Sequence, residues 1–522
     1  MSEMLGPRTG RTESWLGRPT NTGGDSQKTV VLRGSLWNLS GQIIPAAVAL
    51  FAIPLLVRGL GTDRFGLLTL AWALIGYFSL FDFGLGRALT KVVSERIGRE
   101  DRTELAAVIW TAMILMGSLG VIAGLAILSL APWLVQHVLK VPQALQVEAL
   151  SAFRVLAAAT PVVTIYAGLR GVLEGALRFD LANAVRMPMG VLTLLGPLLV
   201  LPFSKSVVPV VSVIAAVRAV ACALQLALCL RALPQLRNSL RPQMRAVAPL
   251  VRFGGLMTIS NVVSPLMVSL DRFVIGGLIS VGAVTYYSTP YEAATKILLV
   301  PAALVGVLFP VFARGFAEDK ELIPRVFQRS LKLLALTMFP ACLVTISFAH
   351  ELLGAWLGSD FVNRSTLVLQ ILTIGVFVNG LANVPFALVQ GIGRPDITAM
   401  LHLSELPVYL GSLWLLVHLY GIIGAAVAWL ARVSIDAALL FVVTTRVIEA
   451  PTDKIGNFAI GLQGALLGLA IGINTLPLLS KSIAIALSLS CYVVATWFWM
   501  LRPDDRAFVA KRLRLITMRH LS

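Results

Sequence analysis

The sequence predicts an all-α polytopic membrane protein built from two related halves. Three observations predict it: long apolar runs, a scarcity of charge, and a loop motif that occurs twice. Apolar runs of about 20 residues recur along nearly the whole chain, the length an α-helix needs to cross a hydrocarbon core of roughly 30 Å. Of 522 residues, 57% are hydrophobic and 13% charged, too few charges to coat a soluble globule. A transmembrane β-barrel would alternate apolar and polar residues in segments of about 10 instead. The motif Gly175-Ala-Leu-Arg178-Phe-Asp180 returns as Gly391-Ile-Gly-Arg394-Pro-Asp396, 216 positions later. Ser40 and Pro45 match Ser260 and Pro265, Ser129-Leu-Ala131 matches Ser347-Phe-Ala349, and Arg218 matches Arg432, all at nearly that offset. A slowly drifting offset is the mark of an old duplication, and repeats set the architecture before any other reading.

Residues 1–33 are polar, carry five Lys and Arg and have no apolar core segment. They read as a disordered cytoplasmic tail and not a cleavable signal peptide. A six-helix lobe over 34–232 follows, with spans expected at 36–57, 66–85, 106–130, 149–169, 187–203 and 207–230. A cytoplasmic linker, 233–250, leads to a second six-helix lobe over 251–446. Its spans are expected at 252–277, 286–312, 331–349, 365–389, 401–419 and 421–445. Two additional helices, 457–478 and 482–501, occupy the segment 447–502 before a basic tail, 503–522, giving about fourteen spans. Loops on one side hold 32 of the 43 Lys and Arg, those on the other side 7, which places both termini in the cytoplasm. This bias accounts for the net charge of +17 and removes the nucleic-acid reading. The matched positions lie six helices apart, so both halves enter the membrane in the same direction. Parallel repeats are related by an axis along the membrane normal, with a substrate path between them. Residues 36–230 and 252–445 should therefore superpose by such a rotation.

The most recognisable words are Leu80-Phe-Asp82-Phe-Gly84-Leu-Gly86-Arg87 and, before them, Gly59-Leu-Gly61-Thr-Asp-Arg-Phe65-Gly66. Leu270-Asp271-Arg272-Phe-Val-Ile275-Gly276 and Phe309-Pro310-Val-Phe-Ala-Arg314 come later. Together, over residues 33–500, these resemble the Wzx-type oligosaccharide flippases of the polysaccharide-biosynthesis family, in the multidrug/oligosaccharidyl-lipid/polysaccharide (MOP) exporter superfamily. The resemblance implies two pseudo-symmetric bundles around a central cavity, in a multi-pass protein of the bacterial inner membrane. It implies a transporter that moves undecaprenyl-pyrophosphate-linked sugar units to the outer leaflet by alternating access. Implied partners are that lipid-linked oligosaccharide, membrane lipids, and polysaccharide polymerase and chain-length proteins. No cofactor is implied beyond a coupling H+ or Na+.

Charges inside spans cost about 2.5–3.5 kcal/mol each on insertion scales and usually face a bundle interior or a wet cavity. Arg218 sits near mid-membrane with no counter-charge among its neighbours three and four residues away, and Arg432 has the matching depth in the other half. Guanidinium binds phosphate bidentately, so the pair is expected to grip a pyrophosphate from both lobes. The plainer reading pairs Arg432 with Asp436, four residues on. Asp271, Arg272, Glu292 and Lys296 lie on consecutive antiparallel helices. Asp271 or Arg272 should reach Glu292 or Lys296 as an ion-paired lock. Arg272 and Lys296 are the candidate substrate contacts there, and Asp271, Glu292 and Asp436 the candidates for ion coupling. Asp82 and Arg87 are assigned to the cytoplasmic gate. Arg178 with Asp180, and Arg394 with Asp396, are expected to stabilise equivalent tight turns, with Gly175 and Gly391 supplying left-handed backbone. The basic amphipathic stretch 507–519 reads as a positive-inside flank.

Two other functions compete. An ion-coupled multidrug or toxic-compound exporter would place unpaired carboxylates in its cavity, whereas the mid-membrane charges here are mainly arginines. A membrane glycosyltransferase or polymerase would need a loop bearing acid, base or metal ligands; the largest outer loop, 131–148, offers only His137 and Glu148. Cys222, Cys229, Cys342 and Cys491 lie singly in apolar runs, so neither a metal site nor a disulfide framework is expected.

Overall fold

In a computed structural model, residues 25–78, 85–98, 105–237, 267–318, 322–448, 454–473 and 476–495 are described, and among these the regular structure is entirely helical. Helices are what lipid demands, because they satisfy every backbone polar group within one segment. Helix α1 spans Asp25–Leu60, α2 Thr62–Phe78, α3 Leu85–Gly98, α4 Leu105–Trp133, α5 Gln143–Gly175, α6 Phe179–Val200 and α7 Val207–Ala232. The described part of α8 covers 267–278. Then come α9 (Val281–Thr295), α10 (Leu299–Glu318), α11 (Leu322–Ser347), α12 (Ala349–Leu357), α13 (Ser359–Gly391), α14 (Pro395–Ile448), α15 (Lys454–Ile473) and α16 (Leu478–Ala495). Nine helical stretches among the described residues are long and apolar enough to cross a membrane.

Two boundaries differ from expectation and a third agrees with it, each for a local reason. The expected span 66–85 is described to Phe78, residues 79–84 lie outside the described residues, and helix α3 occupies part of what was read as loop. Leu85, Ala88, Leu89 and Val93 recur at helical spacing and are buried against α4 and α5, while Arg87 faces outward. Asp82, its proposed gating partner, lies outside the described residues. The expected span 286–312 is bent where residues Lys296–Leu298 tighten into a 3-10 turn between α9 and α10. Pro301, which cannot donate a backbone hydrogen bond, follows in the first turn of α10. The expected pair 401–419 and 421–445 is observed as the two arms of α14, which part at Gly421 with φ 61° and ψ −139°. The two arms return so tightly that a Cβ on Gly424 would collide with the Leu416 carbonyl.

The repeated motif forms one turn twice. After α5, the Arg178 N–H donates to Leu173 O at 2.8 Å and the Leu177 N–H to Glu174 O at 3.0 Å. After α13, the Arg394 N–H donates to Val389 O and the Gly393 N–H to Gln390 O, both at 3.1 Å. Both are Schellman closures, in which a left-handed residue lets the chain satisfy the last helical carbonyls. That residue is Leu177 (φ 58°) in one copy and Gly393 (φ 80°) in the other. It is therefore not Gly175 or Gly391, which instead admit the neighbouring helices α3 and α10 to close approach.

The cores are unequal along the membrane normal. One large apolar cluster runs through both halves, from Ile53 and Leu68 to Val284, Leu372 and Trp429. A second, formed by α3, α4, α5 and α7 around Leu89, Ile109, Leu169 and Cys229, belongs to the first half alone. It lies at the end of the bundle that carries the Schellman turns.

Candidate functional site

The halves are joined at the opposite end. There α2 and α9 pack start to start: a Cβ on Gly66 would strike the Val281 carbonyl, and one on Gly282 the Asp63 carboxylate. Glycine at both positions is what permits this approach. The Thr285 hydroxyl donates to Thr62 O at 2.7 Å, and the Lys140 ammonium to Leu278 O at 2.6 Å. The Trp356 indole donates to Leu50 O at 2.6 Å, tying α12 to α1. Beneath this seal a cavity of about 210 Å³ opens between α1 and α2 on one side and α8 and α9 on the other. Its walls include Phe65, Trp72, Ser269, Arg272, Tyr291 and Glu292.

Arg272 and its neighbours form the polar wall. Asp271 is fully buried; its Oδ2 accepts the Tyr287 hydroxyl at 2.7 Å and its Oδ1 the Arg272 backbone N–H at 2.7 Å. The Arg272 guanidinium donates to Val268 O and to Glu292 Oε1, both at 3.3 Å, and lies 5.0 Å from the centre of the Tyr291 ring. Lys296 donates to the other Glu292 oxygen at 2.9 Å. The pairing expected between these two helices is thus made by Arg272 and Glu292. Each charge offsets the desolvation of its partner: removing Glu292 leaves the buried Arg272 without that carboxylate, whereas removing Arg272 leaves Glu292 on Lys296. Arg272 is 5% exposed and Glu292 about a third, so the pair faces the cavity without being open to it.

Behind this wall lies a second polar layer. Tyr291 meets Trp429 edge-on at 5.6 Å, and Arg432 lies 5.9 Å from the Tyr409 ring centre. The expected pair of Arg432 with Asp436 is absent. Among the described residues the Arg432 Nε has no hydrogen-bond partner, and Asp436 Oδ1 stands 3.6 Å from His402 Nε2 instead. The first arm of α14 brings His402 into the space an i,i+4 pair would have used.

Arg218 belongs to a different environment. On α7 it faces the buried Tyr166 of α5, near Arg170 and Arg186, and its Nε likewise has no partner. It does not line the cavity described above, nor does Arg432. The expected grip on one ligand from both lobes is therefore not assembled in this arrangement. Arg178 chelates Asp180 through two bonds of 3.0 Å, and Arg394 does the same to Asp396 at 3.0–3.2 Å. The hydrogen bond to Asp180 holds the Arg178 guanidinium above its ordinary range. Glu148, considered above as an outer-loop acid, is tied to Arg64 at 3.1 Å and to the start of α7, a structural clasp.

Sequence reasoning missed Tyr287, Tyr291, Tyr409, His402 and Glu405. The signal was there for the first two, which sit four apart beside Glu292. For the others it was the buried stripe His402, Glu405, Tyr409, Leu413 at helical spacing.

Comparison with known proteins agrees with this architecture. The family described as "Polysaccharide biosynthesis protein" matches residues 31–316. A Shigella flexneri protein described as an O-antigen transporter is 30% identical over 425 residues, 80% of this chain and 98% of its own. The lipopolysaccharide biosynthesis protein WzxC of Escherichia coli is 23% identical over 208 residues, 40% of this chain and 42% of its own. Among solved structures, a multidrug resistance MATE family transporter of the MOP superfamily in an inward-facing conformation matches with a TM-score of 0.67. It is 15% identical over 78% of this chain and 98% of its own. An outward-facing conformation of such a transporter scores 0.59, at 18% identity over 81% and 96%. At these identities the likeness to solved structures is one of fold.

Proposed function

The chain belongs to the polysaccharide biosynthesis protein family, and from that membership we propose that it is a flippase for lipid-linked oligosaccharide. It carries the undecaprenyl-pyrophosphate-linked unit from the cytoplasmic to the outer leaflet of the bacterial inner membrane by alternating access. The observation that carries the reading is the cavity between the halves, sealed at one end and walled by a buried arginine. The Lys and Arg bias supports a cytoplasmic side at the Schellman-turn end, away from the seal between α2 and α9.

In this reading residues 34–232 and 251–446 are the two rocking lobes, with 447–502 an accessory pair. Arg272 and Lys296 meet the diphosphate, an anion that the Arg272 fork can take bidentately once Glu292 is released to Lys296. Arg218 and Arg432 offer further cationic stations on the path, and Asp82 with Arg87 the cytoplasmic gate. The sugar is held by the aromatic walls, Trp72 and Tyr291. A polymerase and chain-length proteins receive the product. The alternative, a multidrug exporter, is supported only by the shared fold.

Depletion of the protein tests the reading. Lipid-linked oligosaccharide should accumulate on the cytoplasmic face while surface polysaccharide falls. Undiminished surface polysaccharide with no accumulating intermediate overturns it.

A further inference from the structure

The two arms of α14 close on a buried pair of carboxyls that no transport contact above explains. His402, Glu405 and Tyr409 lie along one face of the first arm and are 8%, 6% and 2% exposed. Arg432 and Asp436, each 8% exposed, lie on one face of the second arm and meet them. Among the described residues, neither oxygen of Glu405 receives a hydrogen bond, and neither does Asp436 Oδ1. Arg432, one helical turn from Asp436, has turned to the Tyr409 ring and leaves its Nε unpartnered. Two adjacent ionised carboxylates, deep in a span and with the nearest arginine directed elsewhere, would repel each other in a medium that does not screen them. A single proton between them removes both the repulsion and the missing donor.

We propose that Glu405 and Asp436 form a proton-binding site, sharing one proton taken from water and returned to water, and that Arg432 replaces this proton when it leaves. The surroundings favour a proton over a metal cation. The charged and titratable groups around Glu405 are Asp436 and Arg432 from the second arm and His402 from its own. Helix α13, packed against both arms, contributes Val378, Ala382 and Phe386 to the contact, all apolar. The Arg432 charge at the rim repels Na+, and the pair supplies too few oxygens to replace its water shell.

The site is connected to the cavity. Arg432 stands 5.9 Å from the centre of the Tyr409 ring, and Tyr409 is within electrostatic reach of Asp271 and Tyr291. Deprotonation draws Arg432 from Tyr409 to the carboxylates. That frees the layer of Asp271, Tyr287 and Tyr291 on which Arg272 rests. A proton so bound would be the ion exchanged by the flippase proposed above, and in that respect the inference rests on that reading.

Infrared difference spectroscopy on the purified full-length chain, titrated with acid and base and without substrate, reads the site directly. The expected result is one protonated-carboxyl band that disappears as pH rises, is lost in Glu405→Gln, and does not move when Na+ is added at fixed pH. Asp436→Asn, which leaves Glu405 an amide donor, should shift the band and serves if Glu405→Gln does not assemble. A band unchanged by either substitution, or one displaced by Na+, overturns the proposal. In cells, export through Glu405→Gln should lose its dependence on the transmembrane pH gradient. Because the titration needs no substrate, a normal band with unchanged surface polysaccharide on depletion would sink the flippase reading alone.

Discussion

At the turn after α5 and at the turn after α13, the same backbone bonds, the same arginine–aspartate chelate and a left-handed residue at the same place close the preceding helix. Inside the halves the correspondence ends. Arg218 of the first half shares its surroundings with Arg170, Arg186 and Tyr166, whereas Arg432, its counterpart, is placed among Asp436, Glu405, His402 and Tyr409. Turns recur because a Schellman closure has one backbone solution, and a chain that leaves it loses hydrogen bonds to helix carbonyls. Interior side chains face no such restriction. Duplicated halves can therefore keep their connections while one interior stays basic and the other gains acids. The division suits a transporter that holds an anion and exchanges a cation.

The strongest way to break this comparison is at the polar wall of the second half. Arg272→Ala strands the buried Asp271 and leaves Glu292 to Lys296 alone. It should lower stability in detergent by about 3–5 kcal/mol, seen as a lower melting temperature and lower membrane abundance. Arg272→Ala with Glu292→Ala should recover part of that loss. No recovery would mean that the two are not coupled.

Next comes the basic interior of the first half. Arg218→Ala removes a half-buried charge that has no ion-pair partner among the described residues, so the protein should accumulate normally while transport falls about tenfold or more, about 1.4 kcal/mol of barrier. Arg218→Lys keeps the charge but not the planar fork, and should transport at an intermediate rate. Accumulation of the lipid-linked intermediate measures both. Full transport by Arg218→Ala would leave that residue a purely structural role.

How far these residues could be read beforehand follows chain separation. The duplication was visible because its motif is local, six residues read without folding anything. Arg272 and Glu292 were legible because they flank one short connection. The meeting of Glu405 with Asp436 was not, since they lie on different arms of α14, and the break expected at 420 does not say which residues face each other across it. Arg432 was misassigned for the same reason: an i,i+4 neighbour on a helix is a partner only if nothing on the facing arm takes it first. The amphipathic α3 was mistaken for loop because its charges, all on one face, raised the polar count of the segment.

A weaker test concerns what only the second half possesses. Lys481 of α16, 1% exposed, donates to Glu351 of α12 at 2.8 Å and anchors the accessory helices to that half. Partial burial opposes ionisation of Glu351, but the Lys481 hydrogen bond outweighs it and holds the carboxyl below its ordinary range. A depressed carboxylate adds stability above its unfolded value, about 4.3, and loses it as pH falls through the folded value. The melting temperature should thus drop as pH falls below the ordinary glutamate value of about 4.3, and Lys481→Met should flatten that drop. An unaltered profile in Lys481→Met would detach the anchor from the pH response.

The finest test returns to the turns. Leu177 holds a left-handed backbone that costs an L-residue roughly 1–2 kcal/mol, while Gly393 holds the same conformation freely. Leu177 is 71% exposed, so its side chain contributes little by burial. Leu177→Gly should then relieve the strain, less the roughly 0.5–1 kcal/mol that glycine adds to the entropy of the unfolded chain. A net gain of about 0.5–1 kcal/mol is expected. Gly393→Leu should lose a similar amount, because it imposes on the second turn the strain that the first already bears. Both would be read as opposite shifts in the detergent melting temperature. If the two substitutions moved it in the same direction, the turns would be alike in hydrogen bonds only, and the left-handed position would not be equivalent in the two halves.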